Sequence, residues 1–240
     1  MLSHLDLRAV VFDYAGTLAT VSRPEEALAD LYREIASSMS NDFPQATEST
    51  IAVIHTAISE RLTREATSPA PAIHNEALYI AAYAEAGILL APPDARKIID
   101  AEQRAWRGGI GLARGARALL SKVTSMGLKV GLLSNAPFRV SAMEAQLDEL
   151  GIRKWFDVIA FSGSTGLVKP DPEAFLSICE RLGTEPAQTL MIGDSVEVDI
   201  NGATRAGMPS LYIGTSPGVH VTTALAHVPS LDAILELLQG

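Results

Sequence analysis

The chain has 240 residues, 48% of them hydrophobic, which suits one sizeable core or a core with a smaller accessory domain. Acidic residues outnumber basic ones 28 to 19, for a formal net charge of −9, and without a basic run the chain is a poor partner for nucleic acid or an anionic membrane. Cys179 is the single cysteine, so no internal disulfide forms; no apolar stretch reaches membrane-span length, and Met1-Leu-Ser-His-Leu-Asp6 lacks a secretion signal, so a cytoplasmic protein is expected.

Val10-Val11-Phe12 reads as a buried strand, short, apolar and followed by a glycine turn. The segment from about 20 to 105 holds no convincing strand. Its first helix is expected over Arg23–Met39, with Leu28, Leu31 and Ile35 on one face and Pro24 where a helix start tolerates proline. A second, about 47–65, carries Ile51, Ile54, Ile58 and Leu62 at helical spacing and is broken by Ser68–Pro71. A third, about 75–86, can end at Gly87, and a fourth, about 94–106, follows Pro92-Pro93. Gly108-Gly109 and Gly111 mark the return. Four further strands follow, Lys129–Leu133, Val158–Phe161, Thr189–Ile192 and Ser210–Ile213, among helical patterns at about 115–126, 139–150, 172–182 and 199–207. Cys179 falls on the buried face of the third of these patterns and reads as an inert core thiol. Strands alternating with helices in this way predict an α/β fold, a doubly wound parallel sheet, with a second, smaller all-helical domain. Residues 1–19 and 106–240 are expected to form the first and 20–105 the second.

In open parallel sheets, ligands bind outside the carboxyl ends of the strands. Asp13, Ser134 and Asp194 each follow a predicted strand, so they converge if those strands are neighbours. Asp13 runs into Tyr14-Ala15-Gly16-Thr17, and a carboxylate there can attack phosphorus to form an aspartyl-phosphate. An isolated Asp-x-x-Gly-Thr is more often a turn cap. Here it has companions in order: Leu132-Leu133-Ser134-Asn135, Val168-Lys169-Pro170-Asp171-Pro172, and Met191-Ile192-Gly193-Asp194-Ser195 leading to Asp199.

This set resembles the haloacid dehalogenase-like (HAD) hydrolase superfamily, with its Rossmannoid core, in the subfamily that carries a helical cap directly after the first motif. The resemblance spans nearly the whole chain. It implies Asp13 as nucleophile and Lys169 as the cation balancing charge between Asp13 and the transferred group. Thr17 and Ser134 become phosphate holders, and Asn135 positions that loop or the substrate. Mg²⁺ is implied at Asp13, Asp194 and the main-chain carbonyl of Ala15, with Asp199 supporting the ion or holding Lys169. A small phosphorylated metabolite is the implied substrate, for a monomer or homodimer.

One letter departs from the family's phosphatases, which carry a second Asp where this chain has Ala15. That Asp protonates the leaving oxygen and then activates water; such a group contributes ~10²–10⁴-fold. The departure leaves three readings open. A phosphatase can draw a substitute acid from the cap, where His55, His74, Tyr79 and Tyr83 are candidates, each more often a helix-surface or core residue. The chemistry can be dehalogenation or C–P cleavage, the latter through a Schiff base on Lys97. Or the fold can serve as a catalytically impaired binding module.

Overall fold

The computed structural model describes residues 6–66, 75–136, 138–214 and 223–238. The helix-breaking Ser68–Pro71 and the candidate His74 lie outside them. The described residues divide into two units, one of those within 6–21 and 111–238, the other of 22–66 with 75–110.

The first unit is built on a parallel sheet. Strand β1 (Ala9–Phe12) is buried along its whole length, as its uninterrupted apolar run requires of a central strand covered on both faces. The chain leaves it through β2 (Ala19–Val21) and returns at β3 (Ile110–Leu112), which pairs with β2 in a small separate ladder. Helix α5 (Ala116–Ser125) leads to β4 (Lys129–Ser134), α6 (Val140–Glu149) to β5 (Val158–Phe161), and a single helical turn, α7 (Ser162–Thr165), precedes α8 (Pro172–Leu182). Strand β6 (Thr189–Gly193) is followed by a widened π-type turn (Val196–Ile200), α9 (Asn201–Arg205), β7 (Ser210–Ile213), β8 (Ala226–Val228) and α10 (Leu231–Leu237).

The six-stranded sheet runs β5-β4-β1-β6-β7-β8, and every neighbouring pair is parallel. Successive residues of β1 face opposite sides of the sheet. Ala9 and Val11 pack with Ala174, Phe175 and Ile178 of α8 and Ala203 of α9, which leaves Val10 and Phe12 for the other side. Cys179 is buried in this cluster, its Sγ 3.7 Å from the sulfur of Met208, and burial pushes its thiol up. It is an inert core thiol. The chain proceeds outward from β1 to β4 and β5 on one side and to β6, β7 and β8 on the other. That reversal makes the carboxyl end of β1 the switch point of the sheet, where α/β folds place their ligands.

The second unit is helical: α1 (Glu25–Met39), α2 (Glu48–Ala66), α3 (Asn75–Glu85) and α4 (Pro92–Arg107). Helices α1 and α3 each pack on both α2 and α4. Leu28, Ile35, Ile51, Ile58, Ile98 and Ile99 belong to their shared core. Its centre is polar. His55 of α2, fully enclosed, pairs through Nδ1 with Glu102 of α4 at 2.7 Å and through Nε2 with the Tyr83 hydroxyl at 2.8 Å. Tyr79 of α3 also donates to Glu102, and the Tyr32 ring of α1 lies 4.8 Å from the His55 ring. Burial would raise the Glu102 pKa, but hydrogen bonds from His55, Tyr79 and Trp106 hold it below the usual 4.5.

Two expectations change. The stretch beginning near residue 20, expected to hold no strand, opens with β2. Three-residue strands about ninety positions apart give no periodic signal. Among the glycines that mark the return, Gly109 serves this contact: a Cβ there would lie 1.9 Å from the Ser22 carbonyl oxygen. The helix expected over 199–207 is instead the π-type turn followed by α9. Strand β8 and α10 extend the fold beyond the expected elements.

Candidate active site

Asp13 sits one residue past β1, its amide donating to the Ile192 carbonyl at 2.9 Å, so the β1–β6 ladder continues through it. The chain then doubles back. The Tyr14 carbonyl accepts from Leu18 at 2.9 Å and Ala19 at 2.8 Å, while the Gly16 amide donates to the Ala19 carbonyl at 2.8 Å. Gly16 has φ +88°, and a Cβ there would lie 2.1 Å from an Asp194 carboxylate oxygen. Glycine is therefore what lets Asp194, beyond the end of β6, lie against this turn. Ala15, in this turn, is exposed.

Lys169 reaches the same point from the segment before α8. Its main chain is clamped to the end of β4: Asn135 Nδ2 donates to the Lys169 carbonyl at 2.7 Å, and the Lys169 amide donates to Asn135 Oδ1 at 2.8 Å. The lysine Nζ is buried between Asp13 Oδ1 at 2.6 Å and Asp199 Oδ1 at 2.7 Å. The other oxygen of Asp199 accepts from the Ser195 amide at 3.0 Å. Here too a glycine makes room, because a Cβ on Gly193 would lie 2.4 Å from the Asp199 carboxyl carbon.

One oxygen each from Asp13, Asp194 and Asp199 can lie within 4.8 Å of the others. Three carboxylates thus face one ammonium. Burial, opposed by the Lys169 charge, pushes the Asp13 carboxyl up to about 7, with Asp199 and Asp194 adding to the rise. Burial and the charge of Asp199 raise Asp194 as well. Burial would depress the Lys169 amine, but its two carboxylate partners overcome that and hold it protonated. An excess of hard oxygen donors whose charge one lysine does not balance fits a divalent cation such as Mg²⁺. Ser134, at the end of β4, is buried. The buried Thr17 hydroxyl has no well-formed hydrogen bond, only a loose approach to Asp194. A buried hydroxyl without a partner is costly unless a ligand completes it.

The structure brings together Asp13, Asp194, Asp199 and Lys169, with Ser134 and Asn135 on the neighbouring strand end and Thr17 and Ala15 in the turn after β1. Two contributions lay outside the sequence reading, the glycines Gly16 and Gly193 that admit the acids. Their signal was adjacency, since each stands beside a motif residue. The candidate substitute acids are engaged elsewhere: His55, Tyr79 and Tyr83 are bound into the core of the helical unit. Lys97 is an exposed surface residue paired with Asp94 one turn before it on α4.

The family profile of haloacid dehalogenase-like hydrolases matches residues 7–207. The chain belongs to this family. Haloacid dehalogenase-like hydrolase domain-containing protein 3 of Mus musculus is 33% identical over 132 residues, 50% of this chain and 51% of that protein. A glyceraldehyde 3-phosphate phosphatase of Methanopyrus kandleri is 35% identical over 94 residues, 39% of this chain and 40% of its own length. The matched stretches thus span about half or less of these relatives. Among solved structures, a 2-haloacid dehalogenase from Pseudomonas syringae pv. Tomato DC3000 superposes with a TM-score of 0.68 at 18% identity, over 97% of this chain and 98% of that one. At that identity the likeness concerns the fold alone. Among the described residues, no helix is long and apolar enough to cross a membrane.

Proposed function

We propose that this HAD-like chain is a Mg²⁺-dependent phosphoester hydrolase working through an aspartyl-phosphate on Asp13. The observation that carries the reading is the buried Lys169 ammonium held between Asp13 and Asp199, with Asp194 beside them. Phosphoryl transfer leaves the protein little covalent chemistry beyond positioning and charge stabilisation, and this arrangement supplies both. An Asp13 oxygen attacks phosphorus. Lys169 offsets the charge between nucleophile and phosphoryl oxygens, and the Thr17 and Ser134 hydroxyls hold two of those oxygens. Asn135, by fixing the Lys169 main chain, sets the reach of the ammonium. Asp13 and Asp194, with the Ala15 carbonyl and Asp199 in support, would hold Mg²⁺, which neutralises phosphate charge when bound.

The helical unit is read as the cap, covering about 20–105, on a core of 1–19 and 106–240. A small phosphorylated metabolite is the proposed substrate, in line with the phosphatase name of the archaeal relative, and a cytoplasmic monomer or homodimer the proposed state. Dehalogenation fits less well because halide departure gives Asp194 no cation to hold. Schiff-base C–P cleavage needs a desolvated lysine amine, and Lys97 is exposed.

The test is a parallel screen of phosphate esters, 2-haloacids and phosphonates, with Mg²⁺ and with chelator. Mg²⁺-dependent phosphate release that disappears in Asp13→Asn is the expected result, since an amide is a poor nucleophile. Halide release in chelator, or turnover surviving in Asp13→Asn, overturns the proposal.

A further inference from the structure

Resting on the Asp13 phosphoryl-transfer reading, we infer that this site selects phosphoryl donors whose leaving group departs as a stable anion (acyl phosphates, enol phosphates and aryl phosphates) and then holds the phosphoryl group on Asp13. The geometry behind this is directional. Attack and departure at phosphorus are roughly in line, so the leaving oxygen lies on the side of phosphorus away from Asp13. Lys169 and Asp199, buried beside Asp13 at 1% exposure each, are on the protein side. In the turn after β1 the exposed residues are Ala15 and Gly16, neither of which carries a proton donor on its side chain. The charged groups acting on Asp13 are Lys169, Asp199 and Asp194; the ammonium is doubly bonded to carboxylates and the acids face the cation position. His227, a described histidine of this unit, stands on β8, three strands away, bonded to the Gly214 carbonyl.

The steps balance without any further reagent. In the first, the Asp13–phosphorus bond forms as the phosphorus–oxygen bond to the leaving group breaks. The electron pair leaves on that oxygen, which an alkoxide bears badly and a carboxylate, enolate or phenolate bears well. In the second, water attacks phosphorus, the bond to Asp13 breaks, and the water proton passes to solvent. No side chain at the Ala15 position assists this step, so it is slow and common to all donors. Two consequences follow. The ratio kcat/KM, which reports the first step, falls steeply as the leaving group becomes more basic. The value of kcat is the same for every good donor, and the phosphorylated chain accumulates.

The experiment uses the 240-residue chain with Mg²⁺ and three probes, 4-nitrophenyl phosphate, acetyl phosphate and glycerol phosphate, in parent and Ala15→Asp. The parent should release about one nitrophenolate per chain in a burst, and acid-quenched protein should carry one phosphoryl group, absent in Asp13→Asn. Ala15→Asp should raise kcat/KM for glycerol phosphate by ~10²–10⁴-fold, the range of a general acid, and should raise it far more than kcat/KM for 4-nitrophenyl phosphate. A parent that turns over glycerol phosphate as readily as the aryl ester, without a burst, has a proton donor elsewhere, and the inference falls while the hydrolase reading stands. Absence of any Asp13-linked phosphoryl group with all three donors refutes both. The burst and the mass measurement need only the parent chain, so a poorly folding variant does not protect the idea.

Discussion

Replacing Lys169 by Met isolates the ion cluster beneath the site. Methionine keeps most of the buried stem, so the change is one of charge. It leaves Asp13, 7% exposed, and Asp199, 1% exposed, without the ammonium that lies 2.6 and 2.7 Å from them. Removing one partner of a buried ion pair costs about 3–5 kcal/mol, and here two carboxylates are stranded and repel each other, which places the expected loss at the upper end. A sheet unit of this size shifts by about 2–4 °C per kcal/mol, so the melting temperature should fall by roughly 10–20 °C. The sign with pH is fixed. Without the lysine nothing opposes the rise that burial imposes on the Asp13 carboxyl, so the native chain binds more protons than the unfolded one and stability falls as pH rises. The gap between variant and parent should therefore be wide at pH 8 and narrower at pH 5. Circular dichroism melts in chelator, with hydrogen exchange of the β1 and β6 amides to assign the transition to the sheet, measure this. A shift under about 3 °C, or a gap that ignores pH, refutes the claim that Lys169 offsets two buried charges.

Gly16→Ala should cost about 1–2 kcal/mol from left-handed backbone strain alone, and its Cβ, 2.1 Å from an Asp194 oxygen, should displace that carboxylate. Turnover and Mg²⁺ affinity, by steady-state kinetics and calorimetry, should then fall far more than thermal stability; an equally active variant would show that the close approach of turn and acid is dispensable. Glu102→Gln turns an amide towards donors that now meet a carboxylate and should cost about 1–3 kcal/mol. Because the Glu102 pKa is depressed, its contribution is present above its usual 4.5 and is lost as pH falls through the lower folded value. Helical ellipticity of the parent should therefore weaken with acid below about pH 4.5, with a flatter profile in Glu102→Gln, and parallel acid titrations would contradict this.

What was legible in the chain was whatever repeats or ends abruptly. Val10–Phe12 and its four companion strands announced a parallel sheet because each is a short apolar run stopped by a polar or glycine residue, and those stops are where Asp13, Ser134 and Asp194 stand. The β2–β3 ladder was hidden because short strands far apart have no period to read. Resemblance assigned Asp199 to supporting the ion or holding Lys169, but gave no account of the backbone that would seat it. Its actual place on a widened turn, aimed back at Lys169, depends on an extra residue per turn that spacing does not reveal. The polar centre of the helical unit was also hidden: Ile51, Ile54 and Ile58 mark an apolar face, and nothing in Ala101-Glu102-Gln103-Arg104 distinguishes a buried carboxylate from a solvated one.

The place of β1 at the middle of the sheet has a consequence for how the protein is made. Asp13 and Lys169 are 156 positions apart, and β1 has no sheet neighbour until β4, starting at Lys129, has been translated. At ribosomal speeds that is a wait on the order of ten seconds, during which an apolar strand made early has nothing to pair with. Its other neighbour, β6, comes later still. The nucleophile is thus emplaced only after the segment through Ile192 has been made, and until then β1 is an unpaired apolar strand of the kind that invites aggregation.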